Sequence, residues 1–173
     1  MKAALTASLL AFACSPRPDP DVSKQVTVPE DSLVLERTMC LGTCPAYRLR
    51  VSSAGEVRFD SRNPGEGNRM ALDTTSAGTL SSLVSMAHQA GFFELPYDIL
   101  HDRALCPIAR TDAPTVTTSI FARDSAKAVK NYHGCVDSTL NSATPQLVRL
   151  RAFETEIDSA LKSSRWVRPA SRR

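Results

Sequence analysis

The sequence lacks the motifs by which many enzymes and nucleic-acid binders announce themselves. It has no P-loop, no G-x-G-x-x-G turn and no G-x-S-x-G elbow, which leaves phosphate cradling, dinucleotide binding and serine hydrolysis of those kinds without support. Histidine is scarce: His88, His101 and His133 form no H-x-x-x-H pattern and join no paired C-x-x-C, so the four spaced ligands of a zinc site are not spelled out. The net charge is +3, but Arg165, Arg168, Arg172 and Arg173 crowd the C-terminus and leave the rest close to neutral. Nucleic-acid binding would need a basic face instead, and residues 168–173 read as a solvated basic tail. No internal repeat is present, and the residues imply no cofactor.

Long apolar runs are missing as well. The stretch from Ala3 to Ala13 follows the single charge of Lys2 and ends at Cys14; it is too short to span a bilayer permanently and suits the apolar region of a signal peptide. Residues 1–13 are therefore expected to be a leader. A cysteine at the end of that run is expected to be acylated, making Cys14 a lipid anchor to the membrane, although Ala11-Phe12-Ala13 also fits an A-x-A site for ordinary cleavage. Residues 14–32 hold Pro16, Pro18, Pro20 and Pro29 with Asp19, Asp21 and Lys24, a composition that stays extended and reads as a tether. The expected place is the cell envelope: outer membrane facing the periplasm or surface, or soluble and exported if Cys14 is not lipidated.

Of five cysteines, Cys14 accounts for one, and the even remainder suits two disulfides in an oxidising compartment. Among three possible connectivities, spacing favours Cys40 with Cys44 and Cys106 with Cys135. The first pair sits in M-C-L-G-T-C-P-A-Y, Met39 to Tyr47, where Gly42 can take the positive φ of a sharp turn and Pro45 opens the next strand. The longer string L-E-R-T-x-C-x-G-T-C-P-x-Y, Leu35 to Tyr47, resembles a family of uncharacterised bacterial exported proteins and lipoproteins classed as a domain of unknown function. Gly91-Phe92-Phe93, Thr111-Asp112-x-Pro114-Thr115 and Ile157-Asp158 ahead of Trp166 extend the resemblance over roughly residues 33–167. It implies an exported domain and no particular activity; Cys106, Pro107 and Cys135 stand outside its pattern.

Alternation predicts strands over 33–37, 46–52 and 56–60, a short return at 70–72, and a second hairpin of 115–123 and 126–132 turning at Asp124-Ser125. Leu80, Leu83, Val84 and Ala87 give one buried stripe of a helix capped by Thr75 or Ser76 and stopped by Gly91. Thr144 and Pro145 open a last helix with Leu150, Phe153, Ile157 and Leu161 on one face. Between these, 94–113 has no period. The expected architecture is α+β: an antiparallel sheet of two hairpin or meander units with two helices packed on one face, in a single domain over 33–167.

Cys40-x3-Cys44 admits a structural staple or a thiol–disulfide redox pair; the spacing and the following strand differ from the C-x-x-C at a helix start that redox enzymes use. Asp112, at a strand end, and Tyr47, closing the cysteine motif, are the candidate binding residues. No catalytic set and no metal ligands are assigned. The functional expectation is an envelope lipoprotein domain that binds or scaffolds an envelope partner without turnover, the alternative being redox chemistry at Cys40 and Cys44.

Overall fold

A computed structural model describes residues 31–64, 69–122, 125–137, 139 and 141–168. Cys14, the leader and the proline-rich tether fall outside the described residues, as do Asp124, Arg172 and Arg173.

Six strands form one antiparallel sheet: β1 (Ser32–Arg37), β2 (Tyr47–Ser52), β3 (Glu56–Ser61), β4 (Met70–Thr74), β6 (Thr115–Ala122) and β7 (Ser125–Tyr132). Their order is β4-β3-β2-β1-β6-β7. The two hairpin units therefore join through β1, the first strand, which pairs with β2 on one side and β6 on the other. Register puts Leu33 beside Val51 and Ile120, and Leu35 beside Leu49 and Thr118. Odd positions of β1 to β3 thus share the inner face.

Helices α1 (Thr79–Ala90) and α2 (Pro145–Ala160) pack on each other and on that inner face. Leu80, Leu83 and Ala87 of α1 and Leu147, Leu150, Phe153 and Ile157 of α2 are buried in one core with the sheet's leucines and valines. Phe59 lies between Tyr47 and Trp166, both with ring centroids 5.6 Å away, and Phe92 packs edge-on to Phe93 and Phe153. Gly91 ends α1 at φ 71°, its amide bonded back to His88 O at 3.0 Å, a left-handed cap available to glycine without a Cβ penalty.

Two details differ from the sequence reading. The first helix begins at Thr79 with Gly78 as N-cap; the Thr75 and Ser76 hydroxyls lie 2.9 and 3.0 Å from Thr79 Oγ1 and do not cap free amides. The stretch 94–113 also contains more order than its lack of period suggested. Two 3-10 turns, Phe92–Glu94 and Ile99–His101, flank its start, and β5 (Ile108–Ala109) pairs with β8 (Cys135–Val136) as a small second sheet. A two-residue strand is too short to show any period, so only its partner defines it.

Candidate functional site

The corner between β1 and β2 is built around Gly42, whose φ of 146° reverses the chain. It brings Cys40 and Cys44 together as a disulfide, with Cα atoms 5.5 Å apart. The loop docks on the segment before β6: Thr38 N donates to Thr115 O at 3.0 Å, Thr115 N donates back to Thr38 Oγ1 at 2.8 Å, and Leu41 N donates to Asp112 O at 3.2 Å. Asp112 sits in left-handed backbone at φ 67° with its side chain on the surface. It serves the loop through its carbonyl. Neither cysteine precedes a helix, since Cys44 leads toward β2. Cys106 and Cys135 form the second disulfide, Cα atoms 4.8 Å apart and both side chains buried.

Beneath the corner lies a polar layer. Arg37 and Tyr47 stand opposite each other where β1 ends and β2 begins, and both reach Asp158 on α2. Arg37 Nε donates to Asp158 Oδ2 at 2.9 Å and Tyr47 Oη donates to Asp158 Oδ1 at 2.6 Å. One turn earlier, Glu154 is 1% exposed. Its carboxylate accepts from Asn131 Nδ2 at 2.9 Å and lies 2.8 Å from His133 Nε2, while its carbonyl accepts from Arg37 Nη2 at 3.2 Å. Burial of a carboxylate is costly unless it is bonded this fully. Arg151 Nη2 donates to the carbonyls of His133 and Cys135, joining the layer to the second disulfide. His133 and His101 do not share a partner: His101 Nδ1 lies 3.3 Å from Asp98.

Tyr47 and Asp112, the two candidate binding residues, are thus not brought together as one site. Tyr47 is core, 4% exposed. Glu154, Asp158, Arg37 and His133 were not singled out as a cluster from the sequence. The available signal was Glu154 itself, a charge on the apolar stripe of Leu150, Phe153 and Ile157.

The outer face of the sheet is different in character. Cross-strand register aligns Glu36, Arg48 and Asp60 in one row and Val34, Arg50, Arg58 and Leu72 in the next. A groove of about 530 Å³ runs over β2 and β3, with five arginines (48, 50, 58, 62 and 69) against the single acid Asp60. Three of those arginines are engaged. Arg58 forks onto Asp60, Arg48 faces Glu36 at 3.5 Å, and Arg69 donates to Trp166 O while lying over the Phe59 ring. Arg50 and Arg62 are exposed and have no side-chain partner among the described residues. Arg50 stands directly opposite Arg58, a like-charge pair that costs stability in the absence of an anion.

The profile of a domain of unknown function, DUF6438, matches residues 31–158. The chain belongs to that family. No curated protein matches it. The DUF6438 span opens just before β1 and closes on Asp158, so it takes in the whole sheet, both disulfides and the Glu154 and Asp158 carboxylates of the polar layer, and leaves Trp166 beyond its end. Among the described residues no helix is long and apolar enough to cross a membrane.

Two measurements test this layer. Burial first, and then the Asp158 charge, raise the Tyr47 pKa above its ordinary 10.0. The folded state therefore keeps a proton that the unfolded state loses. That contribution is complete below about pH 10 and falls as pH rises, at up to about 1.36 kcal/mol per pH unit. Urea unfolding of Tyr47→Phe should show a lower stability near neutrality by about 1–3 kcal/mol and a shallower decline above about pH 10 than the parent; parallel declines would show that Tyr47 does not carry the effect. For the disulfides, sequence separations of 29 and 4 give about 3.6 and about 1.9 kcal/mol by loop-closure entropy. Cys106→Ala with Cys135→Ala should lower the urea midpoint more than Cys40→Ala with Cys44→Ala.

Proposed function

We propose that this chain is an exported, lipid-anchored envelope protein whose DUF6438 domain binds an anionic partner without turnover, through the arginine groove on the outer face of its sheet. The observation that carries the reading is the pair Arg50 and Arg62, two exposed guanidiniums without side-chain partners among the described residues, in a groove where every other arginine is engaged. Planar guanidiniums offer bidentate donors to carboxylate or phosphate. The polar layer under the corner supports the same reading from the other side. Its charged groups bond to one another, which spends them on holding β1, β2 and α2 together.

Placement in the envelope draws its support from the sequence: the apolar run Ala3–Ala13, Cys14 at its end, and the proline-rich stretch that follows. Two disulfides belong in an oxidising compartment. Ser15 after the cysteine favours the outer membrane.

The anchor is tested by fractionation. Cys14→Ser should move the protein from the detergent-extracted membrane fraction to the soluble envelope fraction; a parent protein that is already soluble overturns the anchor. The groove is tested with labelled poly-L-glutamate, which should bind in low salt, release as ionic strength rises, and lose about tenfold or more in affinity to Arg50→Glu with Arg62→Glu. Equal binding by parent and variant overturns the groove reading.

A further inference from the structure

The two edges of the six-stranded sheet are not alike. The β7 edge is covered: Lys130 N donates to Tyr97 O at 2.6 Å, Asp98 bridges Lys130 in parallel, and the Lys130 ammonium lies 3.0 Å from the Asp98 carboxylate. The β4 edge has no such cover among the described residues. Ser61 N donates to Arg69 O and Thr75 N donates to Gly55 O, which fixes the alternation of the ladder. Arg69, Ala71, Asp73 and Thr75 direct their backbone groups to β3, and Met70, Leu72 and Thr74 direct theirs outwards. The Thr74 amide is taken by Asp73 Oδ1 at 2.7 Å. Met70 and Leu72 keep both N–H and C=O on the open edge, and their side chains are 51% and 71% exposed on the outer face.

An open edge with exposed apolar side chains is a template for another strand, which proteins otherwise block with charge, proline or a covering segment. Charge on both sides of β4 selects what that strand would be. On the outer face the row of Leu72 holds Arg58 and Arg50, and the rows on either side of it hold Asp60, which takes Arg58, and Glu56. On the inner side, Lys162 and Arg165 line a depression beside Asp73 and Thr74, with Arg165 paired to Asp73. A second copy of this chain docked edge to edge would bring the same set of charges and no complementary one. Its contact along a five-residue strand would also fall far short of the roughly 1,600 Å² that a stable interface buries. An acidic segment meets cations on either face.

We infer that the β4 edge accepts an extended acidic polypeptide as a seventh strand, its backbone paired with Met70 and Leu72 and its carboxylates turned to Arg58 and Arg50 on the outer face and to Lys162 and Arg165 on the inner. Main-chain bonds supply affinity in this mode, and side chains supply selection. The assignment rests on the reading of the arginine face as a binding surface and adds to it the partner class and the element that holds it.

The test uses the mature chain and a labelled peptide of about eight residues in which pairs of glutamates alternate with pairs of valines, so that each face of the strand carries carboxylates, long enough to pair with β4. The peptide should bind, and Leu72→Pro should weaken it by about tenfold or more, because proline there removes an outward N–H and leaves the ladder to β3 whole. Poly-L-glutamate, which need not form a strand, should bind Leu72→Pro as it binds the parent. In the parent protein, adding the peptide should slow hydrogen exchange at the Met70 and Leu72 amides, a readout that holds whether or not the proline variant folds. Unchanged exchange at those amides, or undiminished peptide binding by a folded Leu72→Pro, overturns the strand addition while leaving the groove standing. Loss of poly-L-glutamate binding by the parent removes the groove and the inference together. A concentration-dependent dimer that Leu72→Pro dissociates makes the occupant a second copy and overturns the acidic-peptide assignment.

Discussion

Because β1 is paired on both sides, its register with β2 and with β6 is the constraint from which the remaining geometry follows. Leu33 and Leu35 are fully buried, and a slip of one residue against either neighbour would turn both to the outer face. The same register sets Arg37 against Tyr47 and Val34 against Arg50. It therefore decides at once which residues build the core, which form the polar layer beneath the cysteine corner, and which arginines converge outside.

Helix α2 converts that register into a fixed corner. Glu154 and Asp158 lie one turn apart on its inner side and reach different strands: Asp158 takes Arg37 and Tyr47, and Glu154 takes Asn131 and His133. The chain leaves β1 and enters β2 held by the same carboxylate, so the Cys40–Cys44 loop spans two points that are already fixed. The short disulfide then shapes the loop tip and contributes little to chain closure. The Cys106–Cys135 bond has the larger task, joining the 3-10 and β5 region to β8, with Arg151 bridging from α2.

Seen as a surface, the domain is lopsided. One face of the sheet is buried under both helices and the other is open. One edge is closed by the segment around Asp98, and the other presents Met70 and Leu72. Positive charge gathers on the open face and near the open edge, although the whole chain is only at +3. Local gathering of this kind, more than net charge, governs what a surface of this size attracts.

Period and punctuation were enough to determine the strands of the large sheet and both helices from the sequence alone. The alternation Tyr47, Leu49, Val51 gave β2, the stripe Leu80, Leu83, Ala87 gave α1, Pro145 gave the start of α2, and Gly91 gave the end of α1. These are local signals, since the physics of a strand face, a helix stripe or a left-handed cap is settled within a few residues. Tertiary structure alone decided that β1 lies between β2 and β6, that β5 finds β8, and that Thr75 and Ser76 serve Thr79 in place of capping a helix. It also decided that a glutamate on an apolar stripe meets a histidine from a distant hairpin, and that Arg50 faces Arg58 across the sheet. Each of these depends on residues far apart in the chain, and a pattern read along one strand or helix carries the face a residue takes but not the partner it meets there.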